Sequence, residues 1–266
     1  MGLIGELLAE LLDLSLILPA YNERASIAGT IKAALAYFRS RGLNAEIIVA
    51  ADGNDGTREL VREIAVENPN LRVIGHEERC GKGRGVREAV CLARGRILGY
   101  ADADNKVPLD EYDKIAHWLR EGYEVVVGSR GLEQSKIERH QPWYRRVGSR
   151  GFFYFLNALI EMPVCDTQCG FKFFRRETAL HLFRLQQIDG YMFDIELLAL
   201  AHRLGYRIKE VPIRWRDDAD SRLQLLIGNL RNVIDVFRIR LHLARRTEMP
   251  SAATTVAGEN DAASIR

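Results

Sequence analysis

Between Leu14 and Arg130 the chain alternates short apolar runs with stretches of helical pattern, which restricts its fold more than any other feature. "LSLILPA" (14–20), "AEIIVAAD" (45–52), "NLRVIGH" (70–76), "RILGYAD" (96–102) and "EVVVGSR" (124–130) read as strands. Helices are expected over 26–42, about 57–67, 84–94 and 109–121, the first with Ser26 as its cap and Gly42 just past its end. Strands this apolar are buried on both faces, as in a mainly parallel sheet covered by crossover helices. The expected class is therefore α/β, with helices flanking the sheet. Ligands in such folds collect outside the carboxyl ends of the strands. Polar clusters fall at those ends: "PAYNE", "ADGNDGT", "DADN" and "GSR".

Past residue 130 the alternation breaks. "GLEQSKIERHQPWYRR" reads as a polar loop and "GFFYFLNALI" as an apolar helical run. "CDTQCGFKFFRRET" reads as a turn and strand, "FDIELLALAHRLG" as a helix and "YRIKEVPIRW" as one strand. The expected organisation is a short amphipathic helix over 1–13, one domain over 14–220, a basic amphipathic helix over 221–247, and a disordered tail over 248–266. In the second of these helices Leu223, Ile227, Leu230, Ile234, Phe237 and Leu241 form a stripe, with Arg231, Arg238 and Arg245 on another face. Two readings of that stripe stand: it packs on the core or a second subunit, or it lies on an anionic membrane surface.

Composition excludes several classes. Hydrophobic residues at 47% and charged residues at 28% are those of a folded soluble protein, and a net charge of +2 gives no footprint for nucleic acid. No run reaches the roughly 18–20 apolar residues that span a bilayer. Cys80, Cys91, Cys165 and Cys169 contain no CxxC pair, and no secretory signal precedes the strands, so reduced thiols in a cytoplasmic compartment are expected. Gly81, Gly83 and Gly85 do not make the GxGxxG fingerprint of a dinucleotide site.

The fourth strand ends in Asp102 and Asp104. As a lone Asp-x-Asp this is a solvated turn; beside three other polar strand ends it reads as a centre for a divalent ion and a diphosphate. At an alternating strand end the two carboxylates point to the same side. Arg130 and Arg222 have guanidinium forks suited to phosphate.

"LILPAYNE", "ADGNDGT", "GKGRG", "ADAD", "GSR", "DTQCGFKFF", "FDIELL" and "SRL" follow one another at intervals that resemble family 2 glycosyltransferases of the polyprenyl-phosphate type, over about residues 14–245. The resemblance implies a GT-A (Rossmann-like) fold, a UDP-sugar or GDP-sugar donor, Mg²⁺ or Mn²⁺, and a polyprenyl or dolichyl phosphate acceptor. It implies a peripheral enzyme at the inner face of the cell membrane. By the same resemblance Asp104 is the direct metal ligand and Asp102 lies nearer the ribose or the metal. Pro19, Tyr21 and Glu23 match the nucleoside-binding start, Asp52 a base or ribose contact, and Gly81, Lys82 and Gly83 a flexible loop carrying one cation to the nucleotide. Arg130, Ser221 and Arg222 fall at phosphate positions, joined by Lys209 or Arg207. Asp166 and Gln168 shape the sugar and acceptor site. Asp194 and Glu196 stand two apart on the expected helix, so one of them faces the cleft, and Asp194 is the choice. Cys165 and Cys169 pack beside the motif instead of reacting.

No motif carries a histidine. A phosphomonoester, whose second pKa is about 6, needs no general base to attack an anomeric carbon, so the pattern fits a phosphate acceptor. Direct displacement would turn an α-linked donor into a β-linked product, with glucose from UDP-glucose the leading expectation. The alternatives are mannose from GDP-mannose, a soluble phosphorylated acceptor, and a non-catalytic sugar-nucleotide binder. Two departures bear on them: Ala51 stands where relatives place a first aspartate, and Lys106 follows the carboxylates, either serving the diphosphate or weakening the metal site.

Overall fold

The computed structural model describes residues 12–137, 151, 154–216 and 230–245. Its elements run β1 (Leu12–Tyr21), α1 (Ile27–Arg41), β2 (Ala45–Asp52), α2 (Thr57–Ala65), β3 (Leu71–Ile74), α3 (Lys82–Leu92) and β4 (Gly95–Ala101). A 3₁₀ turn at Leu109–Glu111 leads into α4 (Tyr112–Arg120), followed by β5 (Val125–Ser129), β6 (Lys136–Ile137), β7 (Phe171–Arg175), α5 (Arg176–Leu185), α6 (Phe193–Arg203), β8 (Ile208–Pro212), β9 (Arg214–Trp215) and α7 (Leu230–Arg245). A short helical stretch occupies 154–159.

Seven strands form one sheet in the order β3-β2-β1-β4-β7-β5-β8, and β6 pairs with β9 in a two-stranded ribbon. All neighbours in the large sheet are parallel except β7, which runs antiparallel to both β4 and β5. That reversal positions the site, because it brings the start of β7, and the "DTQCG" turn before it, to the edge where β1, β2, β4 and β5 end.

The strands are apolar because helices cover both faces. Alternate residues feed two cores: Ile17, Ile48 and Val125 join Val86, Leu197 and Ile239, while Leu16, Val49 and Val126 join Ile31 and Ile115. Each such side chain withdrawn from water stabilises the fold by about 1.5–3 kcal/mol before entropy is counted. At the opposite, amino edge the fully buried Glu46 is satisfied by Ser15, Arg72 and Arg94, an ionic lock far from the strand ends that carry the polar motifs.

Several expectations are corrected here. Ser26 stands at the start of α1 without capping it; its hydroxyl donates to Glu23 Oε2 (2.8 Å). Leu12 and Asp13 belong to β1, and the rest of the 1–13 helix lies outside the described residues, as do the 138–150 loop and the 248–266 tail. The single strand expected at "YRIKEVPIRW" is two: β8 pairs with β5 up to Pro212, the Ile213 N–H still reaches Ser129 O (3.2 Å), and the chain then crosses to β6. In α7 the face turned inward carries Val236, Ile239 and Leu243, whereas Ile234, Phe237 and Leu241 of the expected stripe are 43–58% exposed, and of these Phe237 meets Phe155 edge-on at the margin of the core (6.4 Å). Among the described residues no helix is long and apolar enough to cross a membrane.

Candidate active site

The four polar strand ends do converge on one edge of the sheet. Tyr21 and Asp52 are direct partners across β1 and β2, two residues beyond the pairing of Pro19 with Ala50. Glu23 sits past the β1 end, its N–H donating to Thr57 Oγ1 (3.1 Å) and its carboxylate accepting from Ser26. Asp52 accepts backbone N–H groups from His76 (3.2 Å), Cys80 (2.8 Å) and Gly81 (3.3 Å), so this carboxylate organises the loop that leads into α3.

The Gly-Lys-Gly segment is not a free loop. Lys82 and Gly83 already lie in the first turn of α3, and Gly81 holds φ 112° with a hydrogen replacing any Cβ, which would meet Asp189 O at 2.3 Å. The helix start aims Lys82 inward, where Nζ donates to Asp102 Oδ1 (2.7 Å). Burial pushes this ammonium down in pKa, but Asp102 and Asp194 together outweigh it and leave it above the usual lysine range.

Asp102 and Asp104 do not continue the strand. β4 stops at Ala101, and 102–105 turn sharply, with Asn105 in the left-handed region (φ 54°). The turn reading is borne out, and the turn presents its carboxylates at the strand end. Each has its own lysine, Asp104 Oδ2 lying 3.0 Å from Lys106 Nζ. Gly170 underlies Asp102 so closely that a Cβ there would fall 2.2 Å from Oδ2. Two hard carboxylates, one pressed into a glycine cradle, are a donor set that fits Mg²⁺ or Mn²⁺.

Arg130, just past β5, is forked onto Asp166: Nε donates to Oδ2 (2.7 Å), Nη2 to Oδ1 (2.8 Å), and the Arg130 N–H to Oδ2 (2.9 Å). Burial raises the Asp166 pKa, yet the Arg130 charge and hydrogen bonds win and hold it at about 2. Gln168 follows in the same turn, its N–H on Asp166 Oδ1 (3.3 Å). Burial pushes the Cys169 thiol up to about 12 and leaves it a neutral packing group, whereas Cys165, its thiol also raised, is exposed and does not pack as expected.

The expectation for α6 is corrected. Every residue from Phe193 to Ala201 is buried, so Asp194 and Glu196 both lie inside and neither opens onto solvent. Asp194 Oδ1 accepts from Lys172 Nζ (2.5 Å) and from the Tyr100 hydroxyl (2.5 Å), while Glu196 accepts the N–H groups of Gln187 and Ile188. Asp194 therefore positions neighbouring groups. Arg207 and Lys209 are also misplaced by the expectation: β8 runs parallel to β5, which sets Arg207 at the amino edge beside Glu124, and Lys209 lies 4.0 Å from the Trp118 ring centre. Ser221 and Arg222 lie outside the described residues.

Sequence reading missed Lys172, Tyr100, Arg79 and Tyr191. Arg79 lies over the Tyr21 ring (4.4 Å) and donates to the Tyr191 hydroxyl (2.8 Å), tying the end of β1 to the segment before α6. Lys172 had a signal: an ammonium within "FKFF" demands a buried counter-charge.

The antiparallel strand inside an otherwise parallel sheet, with carboxylates and cations at the shared edge, defines the GT-A class of glycosyltransferases. Within it the model for "Glycosyl transferase family 2" matches residues 15–183, and the chain belongs to that family. A dolichyl-phosphate beta-glucosyltransferase of Drosophila melanogaster is 32% identical over 86% of this chain and 74% of its own. The relative ALG5C of Trichomonas vaginalis, of the same description, is 30% identical over 85% of this chain and 70% of its own. Among solved structures, glucosyl-3-phosphoglycerate synthase from Mycobacterium tuberculosis in complex with Mg²⁺ and UDP superposes with a TM-score of 0.59 at 24% identity, covering 90% of this chain and 84% of that one.

Proposed function

We propose that this family member transfers glucose from UDP-glucose to a polyprenyl or dolichyl phosphate, with inversion. The observation that carries the proposal is the pairing of Asp102 with Lys82 and Asp104 with Lys106 at one strand end. Each pair sets a carboxylate that would hold a cation beside an ammonium that would meet a phosphate. Asp104 and Asp102 would hold Mg²⁺ or Mn²⁺, which would supply Lewis-acid neutralisation of the diphosphate leaving group. Tyr21, Glu23 and Asp52 hold the nucleoside, with Pro19 ending the strand beneath it. Lys82 offsets diphosphate charge as the anomeric C–O bond breaks and its electron pair passes to the UDP oxygen. An acceptor phosphate oxygen forms the new bond from the opposite face, and no proton has to leave it. Arg130, held rigid by Asp166 and seated over Trp215 (5.6 Å), lines the acceptor side with Gln168, and Ser221 and Arg222 are assigned to the same phosphate. Asp194 keeps Tyr100 and Lys172 in place beneath.

The acceptor lipid is reached from the membrane surface. On α7 the exposed Ile234, Phe237 and Leu241 run beside the exposed Arg231, Arg238 and Arg245, which suits a helix lying in an anionic cytoplasmic leaflet. The test is a transfer assay with UDP-glucose, other UDP-sugars and GDP-mannose, each with polyprenyl phosphate in anionic vesicles, with a water-soluble phosphate, or alone. Transfer from UDP-glucose to the lipid alone, lost in Asp104→Asn, is expected. Preference for GDP-mannose overturns the glucose assignment. Tight UDP binding without turnover on any acceptor returns the chain to a non-catalytic sugar-nucleotide binder.

A further inference from the structure

At the nucleoside end of the cleft three side chains of different chemistry come together. A carboxylate oxygen of Asp52, a ring nitrogen of His76 and the Cys80 sulfur lie within 4.8 Å of one another. They come from the end of β2, the segment after β3 and the loop before α3, so only the tertiary fold assembles them. We propose that Asp52, His76 and Cys80 bind a borderline-soft divalent ion of the Zn²⁺ class, distinct from the hard ion of the Asp-x-Asp turn, and that its binding closes the nucleotide end of the cleft. The second half rests on the role given to Asp52 above.

Three further observations support a built site. The backbone is held in advance, since Asp52 accepts the N–H groups of His76 and Cys80, the two residues whose side chains complete the cluster. Arg58 Nη1 binds the carbonyls of Ala51 (3.0 Å), Gly53 (2.8 Å) and His76 (2.5 Å), fixing the strand ends from behind. Glu88 Oε2 lies 3.0 Å from His76 Nε2, and Arg84 Nε donates to Glu88 Oε1 (2.8 Å). An imidazole donating one N–H to a carboxylate keeps its other nitrogen as a lone-pair donor, the arrangement that supports histidine ligands in metal sites.

The donor set selects the ion. Imidazole, thiolate and carboxylate suit Zn²⁺, whereas Mg²⁺ takes oxygen ligands and keeps its waters. Tetrahedral bonds of about 2.0–2.3 Å bring ligand atoms to roughly 3.3–3.8 Å apart, so the three groups would close by no more than about 1.5 Å, leaving a fourth position for water. The Cys80 proton leaves to solvent as the Zn–S bond forms, so binding weakens as pH falls. The ion draws on the carboxylate assigned to the nucleoside, and it grips the loop that continues through Gly81 to Lys82.

The test uses the full chain stripped of metal by chelation. Co²⁺ added to it is expected to give a thiolate-to-metal charge-transfer band that stoichiometric Zn²⁺ abolishes. Zn²⁺ affinity, read against a chromophoric chelator, should fall at least tenfold in Cys80→Ser and in His76→Gln, and about tenfold in Glu88→Gln. Absence of the band, or equal Zn²⁺ affinity in all four proteins, overturns the site. Calorimetric titration of UDP is the second arm: one equivalent of Zn²⁺ should weaken binding at least tenfold in the parent protein and leave Cys80→Ser unaffected. Unchanged UDP affinity with Zn²⁺ bound overturns the closure. These titrations are run with Mg²⁺ present; failure of the Zn²⁺-free protein to bind UDP under that condition overturns the nucleotide reading instead, while the cobalt band still reports on the ion site.

Discussion

Two lysine–aspartate pairs flank the Tyr100 ring, and they differ in one physical respect. Lys172 and Asp194 have side chains 0% and 4% exposed, while Asp102, the partner of Lys82, is 46% exposed. Their ammonium nitrogens stand 5.7 Å and 6.0 Å from the same aromatic centre. The inner pair is closed: Lys172 also donates to Cys169 O (2.6 Å), and Asp194 also accepts from Tyr100. The outer pair keeps an open side at Asp102. Identical chemistry therefore makes a sealed support in one place and a contact open to water in the other, and burial decides which.

The inner pair is the more expensive to break. Lys172→Met leaves the Asp194 charge buried and unpaired, which costs about 3–5 kcal/mol and lowers Tm by on the order of 10 °C. The measurement is thermal unfolding of the variant beside Lys172→Met/Asp194→Leu, in which much of the loss should return because the stranded charge is gone. A single variant as stable as the parent would erase the distinction between the two pairs.

At the outer pair the cost should move from stability to catalysis. Lys82→Met is expected to lower kcat/KM about a hundredfold, equal to about 2.7 kcal/mol, with Tm changed by only a few degrees. Asp102 then faces water and keeps its charge solvated, so no buried penalty arises. Steady-state transfer kinetics beside thermal unfolding separate the two effects. A large drop in Tm with kcat retained per folded molecule would make Lys82 structural.

A third ion pair lies between these extremes. The Asp166 carboxyl, drawn down to about 2 by Arg130 against an ordinary value near 3.8, stabilises the fold by roughly 2 kcal/mol while ionised. Because the folded pKa is the lower one, that contribution is complete above about pH 5 and is lost as pH falls from near 4 through about 2. The stability difference between the parent and Asp166→Asn should accordingly stay flat from pH 7 to 5 and shrink below pH 4. A difference that changed between pH 7 and 6 would show another group titrating.

The fold and the outer site were legible because their signals are local. Apolar runs ending in Tyr21, Asp52, Asp102 and Arg130 place polar side chains at strand ends whatever the strand order. The antiparallel entry of β7 left no local mark, since "FKFF" reads alike in either direction, and so the burial of Lys172 against Asp194 stayed hidden. The same holds for α6: an i, i+2 spacing sorts residues to different faces of a helix, but cannot say that both faces are covered. In α7 the stripe from Ile234 to Leu241 was visible, while the direction it faced was set by Val236, Ile239 and Leu243 packing inward.

That last helix repeats the contrast between buried and exposed groups in apolar form, and it supplies the smallest effect. Leu241 is 58% exposed, so Leu241→Ser should leave the stability within about 0.5 kcal/mol of the parent's. Against vesicles containing anionic lipid, the same change should weaken partitioning about fivefold, near 1 kcal/mol, because the leucine side chain would bury there. Ile239→Ser, on the inward face, is expected to do the reverse: a clear loss of Tm, and unchanged partitioning of the molecules still folded. Sedimentation with vesicles beside thermal unfolding gives both readings on the same preparations. If Leu241→Ser lowered stability instead, the exposed stripe would belong to the protein's own packing. The lipid acceptor would then have to be met by another surface.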